Sequence, residues 1–449
     1  MAHVVDTVAP TASAGLAKAL AEARRAYVEA NPKSQRNFRT AAEYLPGGNT
    51  RSVLHYDPFP LAIGRASDCR LWDLDGHEYV DFLGEFTAGL YGHSHEAVRA
   101  AVVAAFDRGI NLGAPGPLEA ELARLVCARF PSIELVRFTN SGTEANLLAL
   151  AAATAFTRRR RILVFSGAYH GGVLAFARGG SPVNVPHEFV VGAYNDLAAT
   201  EALIAAHGRE LAAILVEPML GSGGCIPAAR EFLELLRRAA TATGAVLIFD
   251  EVMTSRLSAG GRQALLNVIP DMTVLGKYIG GGMSFGAFGG RRDLLLQFDP
   301  TRPGALAHAG TFNNNALTMA AGVATLGRVY TPEAATSLNA RGDALRERLN
   351  QLAHAAGAPL QWTGLGSLMN LHCTARPIAS PADASAEDTT LKELFFFDAL
   401  RRGLYLARRG FIALSLLLGE AECERLVAGV QSFLVERRHL LHRAEDAQT

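Results

Sequence analysis

From about Pro117 onward, helical text alternates with short apolar runs: "ELVRFTN", "EANLLALAAATAFT", "RILVFSG", "LAAILVEPM", "FLELLRRAATATG", "AVLIFDE" and "MTVLGK". Helices between strands are the crossovers that parallel pairing needs. The alternation therefore predicts an α/β fold whose large domain, residues 117–320, is a mainly parallel sheet with helices on both faces. Ligands of such sheets collect at the carboxyl ends of the strands. The residues that close each apolar run are the ones to read for chemistry.

Before that domain, Ser13 to Ala30 has helical character, "LPGGNTRSVLHYDPFPLAIGRA" reads as loop and short strands, and "RLWDLDGHEYVDFL" predicts a hairpin around Asp75-Gly76. After it come helical stretches ("ALTMAAGVATLGRVY", "SLNARGDALRERLNQLAHAAG"), strand-like pieces ("SLMNLHC", "GFIALSLLL") and a last helix near 420–440. This C-terminal segment, 321–449, is expected to be α+β and to join part of 1–116 in one small domain. Residues 1 to about 12 are expected to be disordered.

Forty-three basic residues balance 43 acidic ones, so no overall field favours nucleic acid, a membrane surface or acidic partners. The five cysteines are far apart with no C-x-x-C pair, which predicts reduced thiols. The N-terminus lacks a signal pattern and no run approaches the ~18 apolar residues of a membrane span, so a cytoplasmic location is expected. His93 and His95 in "GHSHE" have no further ligands at metal-binding spacing, and no metal is expected.

At the strand ends, Ser141-Gly142-Thr143-Glu144 follows "VRFTN" and opens a long helix. Ser141 and Glu144 match a capping box, while the same hydroxyls and free N–H groups also suit a phosphate. Tyr169, on the glycine-rich loop after "RILVFSG", is either ordinary loop packing or a platform for a planar ligand. Asp250 ends "AVLIFDE", where a carboxylate is costly unless an arginine or a ligand partners it. Lys277 follows the apolar "MTVLG" and precedes a flexible "GGGMSFGAFGG", which leaves little room for a snorkelling surface lysine. A desolvated lysine loses proton affinity and attacks carbonyls. "LGKYIGGG" lacks the upstream glycine and following Ser or Thr of a P-loop, and no G-x-G-x-x-G follows a strand.

A phosphate cradle, a stacking ring, an acid and an amine at successive strand ends match the needs of pyridoxal 5'-phosphate. Its aldehyde condenses with a lysine, and an acid keeps its ring nitrogen protonated so that the ring accepts electrons from a carbanion.

"FTNSGTEAN", "GAYHGG", "VEPMLGSGGCIP", "LIFDEVMTSR" and "LGKYIGGGMSFGAFGGRRD" together resemble the class III aminotransferases of pyridoxal-phosphate fold type I, from about Tyr44 to the C-terminal helix. Within that class the text is similar to glutamate-1-semialdehyde aminomutases and, closer still, to β-phenylalanine aminotransferases. The resemblance implies Lys277 as the Schiff-base lysine and proton shuttle, Asp250 on the pyridine nitrogen, and Ser141, Gly142 and Thr143 on the phosphate. It implies Tyr169 stacked on the ring, Val252 and Met253 near the other face, and Glu217 near the ring hydroxyl. Thr311 would reach the phosphate of the neighbouring subunit, so a homodimer with shared active sites is implied.

Gly310-Thr311-Phe312-Asn313-Asn314-Asn315 stands where aminomutases usually read GT-x-x-GNP, which counts against the mutase. "GGNTRSVLHYDPFP" and "RRGFIALSL" resemble the β-phenylalanine enzymes and supply Arg51 and Arg409. A guanidinium holds a carboxylate through paired hydrogen bonds. A β-amino acid carries its carboxylate one carbon farther from the amine than an α-keto acid does, so one fixed anchor serves both poorly. The expectation is Arg51 for the donor and Arg409 for the acceptor, swinging aside for an aromatic ring; the alternative for either is a surface ion pair. Tyr56, Phe86 and Phe312 are pocket walls or ordinary core. The expected activity moves the amino group of an aromatic β-amino acid to 2-oxoglutarate or pyruvate by a ping-pong mechanism. A semialdehyde isomerase and a non-catalytic cofactor sensor are the alternatives, the latter disfavoured by Lys277 and Asp250 and by the lack of a basic N-terminal domain.

Overall fold

A computed structural model describes residues 14–110 and 112–441, apart from the Arg178 side chain. The expectation for residues 1 to about 12 lies outside the described residues. The central sheet has seven strands in the spatial order Leu135–Thr139, Gly286–Gly290, Met272–Gly276, Val246–Asp250, Leu211–Val216, Arg161–Phe165, Glu188–Gly192. All run the same way except Gly286–Gly290, which is antiparallel to both neighbours. Three central strands, "LAAILV", "VLIFD" and "MTVLG", are buried at every residue. Burial on both faces is why they read as unbroken apolar runs rather than alternations.

The helices Gly142–Thr157, Leu197–His207 and Arg230–Thr243 supply crossovers. In the last of these, Phe232, Leu233, Leu235, Leu236, Ala239 and Ala240 form the buried stripe, the spacing of a helix with one face on the sheet.

One segment departs from its sequence reading. Part of "GGGMSFGAFGG" is the buried strand Gly286–Gly290 rather than a flexible loop. A Cβ on Gly286 would lie 2.1 Å from the Ser141 carbonyl oxygen, and one on Gly290 would lie 2.3 Å from the Asp271 carbonyl oxygen. These glycines serve close backbone approach, not mobility.

The early hairpin pairs Arg70–Asp73 with Glu78–Asp81, and Ile63–Ser67 adds to one edge. Leu404–Tyr405 from the C-terminal segment lies parallel to Glu78–Asp81 on the other edge. A further sheet combines Gln361–Leu365, Leu368–His372 and Phe411–Ala413. Among the described residues no helix is long and apolar enough to cross a membrane.

Candidate active site

Three neighbouring parallel strands deliver three ionisable groups to one end of the sheet. Leu211–Val216 leads into Glu217, Val246–Asp250 ends on Asp250, and Met272–Gly276 leads into Lys277. Local sequence pointed to Asp250 and Lys277 and resemblance to Glu217, but their adjacency comes from the strand order.

Asp250 is buried and held at both oxygens. Oδ2 accepts from Asn146 Nδ2 at 2.9 Å and faces His170 Nδ1 at 2.8 Å, while Oδ1 accepts from Val252 N at 3.0 Å. Its protein partners are thus a histidine, an amide and a backbone N–H rather than an arginine. Asn146 also donates to the carbonyls of Gly142 and His170, at 3.1 and 3.0 Å. It thereby ties the helix start, the aromatic loop and the acid together.

The sequence reading gave no role to Asn146 or His170. A signal existed for the first: Asn146 lies on the buried stripe with Ala149, Leu150 and Ala153, and a polar residue in such a stripe needs a partner.

Lys277 has a left-handed backbone, φ 55°, rare for a residue with a side chain. Removal from solvent pushes its ammonium down from 10.5 to about 8, against the opposing pull of Asp250 and Glu217. Glu217 is buried, with Oε2 accepting from Tyr169 N at 2.9 Å and Oε1 from Gly221 N at 3.0 Å. Burial pushes its carboxyl up to about 7; His170 opposes that rise and Asp250 adds to it.

At the start of helix Gly142–Thr157, Ser141 Oγ accepts from Glu144 N at 3.2 Å. The returning arm of the expected capping box goes elsewhere, since Glu144 Oε2 accepts from Asn140 N at 2.9 Å. A Cβ on Gly142 would meet a Val252 methyl at 2.9 Å, and one on Gly171 would meet Thr143 Oγ1 at 2.2 Å. Glycine at these positions lets Val252 and the Tyr169 loop close on the helix start. Tyr169 itself is 48% exposed. Met253 packs at the 221–225 loop, where a Cβ on Gly221 would lie 2.0 Å from its sulfur.

The two arginines differ. Arg51 is exposed and forms a close ion pair with Glu85, so its surface-pair alternative is what this structure displays. Arg409 is half-buried, and its Nη1 donates to Ser222 Oγ at 2.6 Å. Burial pulls its guanidinium below the ordinary value. Both lie over Phe86, with Cζ 5.5 Å (Arg51) and 5.4 Å (Arg409) from the ring centroid. Gly84, Glu85, Phe86 and Thr87 all have positive φ. This strained turn is braced by Asp81 Oδ1, which accepts from Leu83 N at 2.8 Å and Gly84 N at 3.1 Å.

Of the suggested walls, Phe86 is therefore beside both arginines. Tyr56 packs edge-on to Phe396 and bonds to Tyr27, as core. Phe312 and Thr311 are exposed. A cavity of about 720 Å³ is lined by Tyr27, His77, Tyr79, Arg401 and Arg402 among others, and by none of Glu217, Asp250, Lys277 or the two arginines. Its Arg401 and Arg402 are already paired with Asp398 and Glu436, so chemistry rather than volume marks the site. Among the described residues no group of three or more His, Cys, Asp or Glu could hold a metal ion.

The family model "Aminotransferase class-III" matches residues 53–416. Over 431 residues the chain is 54% identical to a beta-phenylalanine transaminase of Variovorax paradoxus, covering 96% of this chain and 99% of that one. The solved beta-phenylalanine aminotransferase from Variovorax paradoxus superposes with a TM-score of 0.94 at 54% identity, over 96% of this chain and 100% of that one. A glutamate-1-semialdehyde 2,1-aminomutase of Desulforamulus reducens is 39% identical over 415 residues, 88% of this chain and 96% of the relative. A transaminase solved with PLP bound is 32% identical with a TM-score of 0.84, over 92% of this chain and 99% of that one.

Proposed function

This chain belongs to the class-III aminotransferases, enzymes that use pyridoxal phosphate, and on that premise we propose that it moves the amino group of an aromatic β-amino acid, of the β-phenylalanine type, to an α-keto acid such as 2-oxoglutarate or pyruvate. The structural observation that carries the substrate assignment is the grouping of Arg51 and Arg409 around the Phe86 ring. One aromatic wall beside two carboxylate anchors suits a donor and an acceptor whose acid groups lie at different distances from the reacting carbon.

The residues at the strand ends fit the cofactor. Glycine at 142 lets Val252 pack against the start of the helix beside the Ser141 hydroxyl, and an acid and a weakened amine stand on neighbouring strand ends. When bound, pyridoxal phosphate supplies a ring that accepts the electrons left when the amine-bearing carbon loses its proton.

The protein does the rest. Ser141, Gly142 and Thr143 would hold the phosphate with hydroxyls and free N–H groups. Tyr169 would cover one ring face, Val252 and Met253 would approach the other, and Glu217 would lie on the hydroxyl side. Asp250, fixed by Asn146 and His170, would keep a proton on the ring nitrogen. Lys277 Nζ would hold the cofactor covalently. Its amine would take the proton from the amine-bearing carbon, a task suited to a pKa of about 8. Arg51 orients the donor carboxylate and Arg409 the acceptor carboxylate. Donor and acceptor use the site in turn, so the kinetics are ping-pong. Thr311 reaches the phosphate site of a second subunit, and the working unit is a homodimer.

The 39% identical aminomutase supports an isomerase as the second reading. Product analysis separates them. Incubation with 3-amino-3-phenylpropanoate and 2-oxoglutarate is expected to yield glutamate and the β-keto acid. Turnover of glutamate-1-semialdehyde with no acceptor, and none of the β-amino acid, would reverse the assignment.

A further inference from the structure

Arg409 has to meet the carboxylate of the acceptor and clear the way for the aromatic ring of the donor. A residue with both tasks works only if its inward and outward positions are close in free energy. Here the guanidinium is inward, near enough to Glu217 for that carboxylate to act on it. It lies 5.4 Å from the Phe86 ring centroid and 5.3 Å from that of Phe411. Among the described residues no carboxylate pairs with it. Its hydrogen bonds go to Ser222 alone, from Nη1 to Oγ at 2.6 Å and to the carbonyl oxygen at 3.3 Å. Nε is buried without a partner. That leaves the Nε and Nη2 edge for a bidentate carboxylate.

Ser222 is itself on a fixed loop, between the short strands Met219–Leu220 and Ile226–Pro227. Gly221 N donates to Glu217 Oε1 at 3.0 Å, and the Gly224 carbonyl accepts from Thr363 Oγ1 at 2.7 Å and faces His372 Nε2 at 2.9 Å. A Cβ on Gly223 would lie 2.8 Å from the Gly167 carbonyl oxygen, so the loop backbone is pressed against its neighbour. The Ser222 hydroxyl is therefore carried on a backbone fixed by its neighbours.

We propose that Ser222 is the latch that holds Arg409 inward and thereby sets the balance between acid acceptor and aromatic donor. It is a positioning residue that acts through Arg409, and the inference rests on the assignment of Arg409 to the acceptor. With the hydrogen bond in place, a carboxylate meets an arginine already oriented. Without it, the arginine spends more time outward, the acceptor binds more weakly and the donor ring finds more room. A general loosening of the site would weaken both substrates together.

The test compares Michaelis constants for 2-oxoglutarate and 3-amino-3-phenylpropanoate in holoenzyme carrying Ser222→Ala, Ser222→Thr or Arg409→Lys. Ser222→Ala is expected to raise the acceptor KM about tenfold, the size of one hydrogen bond to a charged group, and to lower the donor KM or leave it unchanged. Ser222→Thr, which keeps a hydroxyl, is expected to restore the acceptor KM. An unchanged acceptor KM in Ser222→Ala, or both constants rising together, overturns the latch. If Arg409→Lys raises the acceptor KM while Ser222→Ala does not, the latch alone fails. If Arg409→Lys leaves it unchanged, the assignment of Arg409 fails with it.

Discussion

His170 Nδ1 lies 2.8 Å from Asp250 Oδ2 inside the protein, and the other ring nitrogen of His170 is buried without a partner. The histidine thus spends its one observed side-chain bond on orienting the acid. Asn146 bonds the same oxygen at 2.9 Å. Replacing either is therefore expected to act through Asp250. His170→Phe and Asn146→Ala should each lower kcat by about ten- to a hundredfold, the scale of a misplaced catalytic group, with less effect on either KM. Asp250→Asn should be worse than both. Steady-state kinetics of the three variants check the order.

The lowered proton affinity of Lys277 gives a pH signature in the cofactor-free enzyme. Only the neutral amine attacks an aldehyde, so the rate of covalent cofactor capture should climb with pH and level off above about 8. A lysine with the ordinary value would keep climbing past 10. The unfolded chain holds this proton to about 10.4, so between about 8 and 10.4 the unfolded state binds more protons and folding gains stability as pH rises. That contribution is lost as pH falls through about 8. Stopped-flow mixing with pyridoxal phosphate reads the first effect, and thermal melts across the same window read the second. Lys277→Ala should abolish both the capture and turnover.

Arg51 is expected to matter for binding and little for stability. Its exposed pair with Glu85 belongs to a class worth about 0 to 1 kcal/mol. Arg51→Ala should leave the melting temperature nearly unchanged while raising the donor KM about tenfold or more, the cost of losing a bidentate carboxylate contact. Equal donor kinetics in the variant would return Arg51 to the role of a surface ion pair.

Thr311 tests the shared site. Thr311→Ala should weaken cofactor retention by about tenfold, one charge-assisted hydrogen bond, while light scattering still reports a dimer. A monomer with full activity would remove the proposed contribution from a second subunit.

Much of the architecture was legible because parallel strands buried on both faces leave unbroken apolar runs, as in "VLIFD" and "MTVLG". Lys277 and Asp250 stood out because a charge at the end of such a run needs a reason. What stayed hidden was set by tertiary geometry. His170 looked like any loop histidine until the strand order brought it to Asp250. The strand Gly286–Gly290 read as a flexible tail because glycine signals both freedom and close approach, and only the neighbouring Ser141 backbone distinguishes them. Phe86 could be guessed only as a wall, since its place between the positive-φ residues Glu85 and Thr87 has no local sequence pattern. Arg51 and Arg409 were named through resemblance, and their convergence on that ring is a product of the fold.

The most direct test is the visible absorption spectrum of the purified holoenzyme on adding racemic 3-amino-3-phenylpropanoate with no keto acid. The account predicts that the band of the lysine-bound cofactor bleaches, and that 2-oxoglutarate or pyruvate restores it. A band that ignores this donor while responding to a semialdehyde alone would contradict the assignment to aromatic β-amino acids.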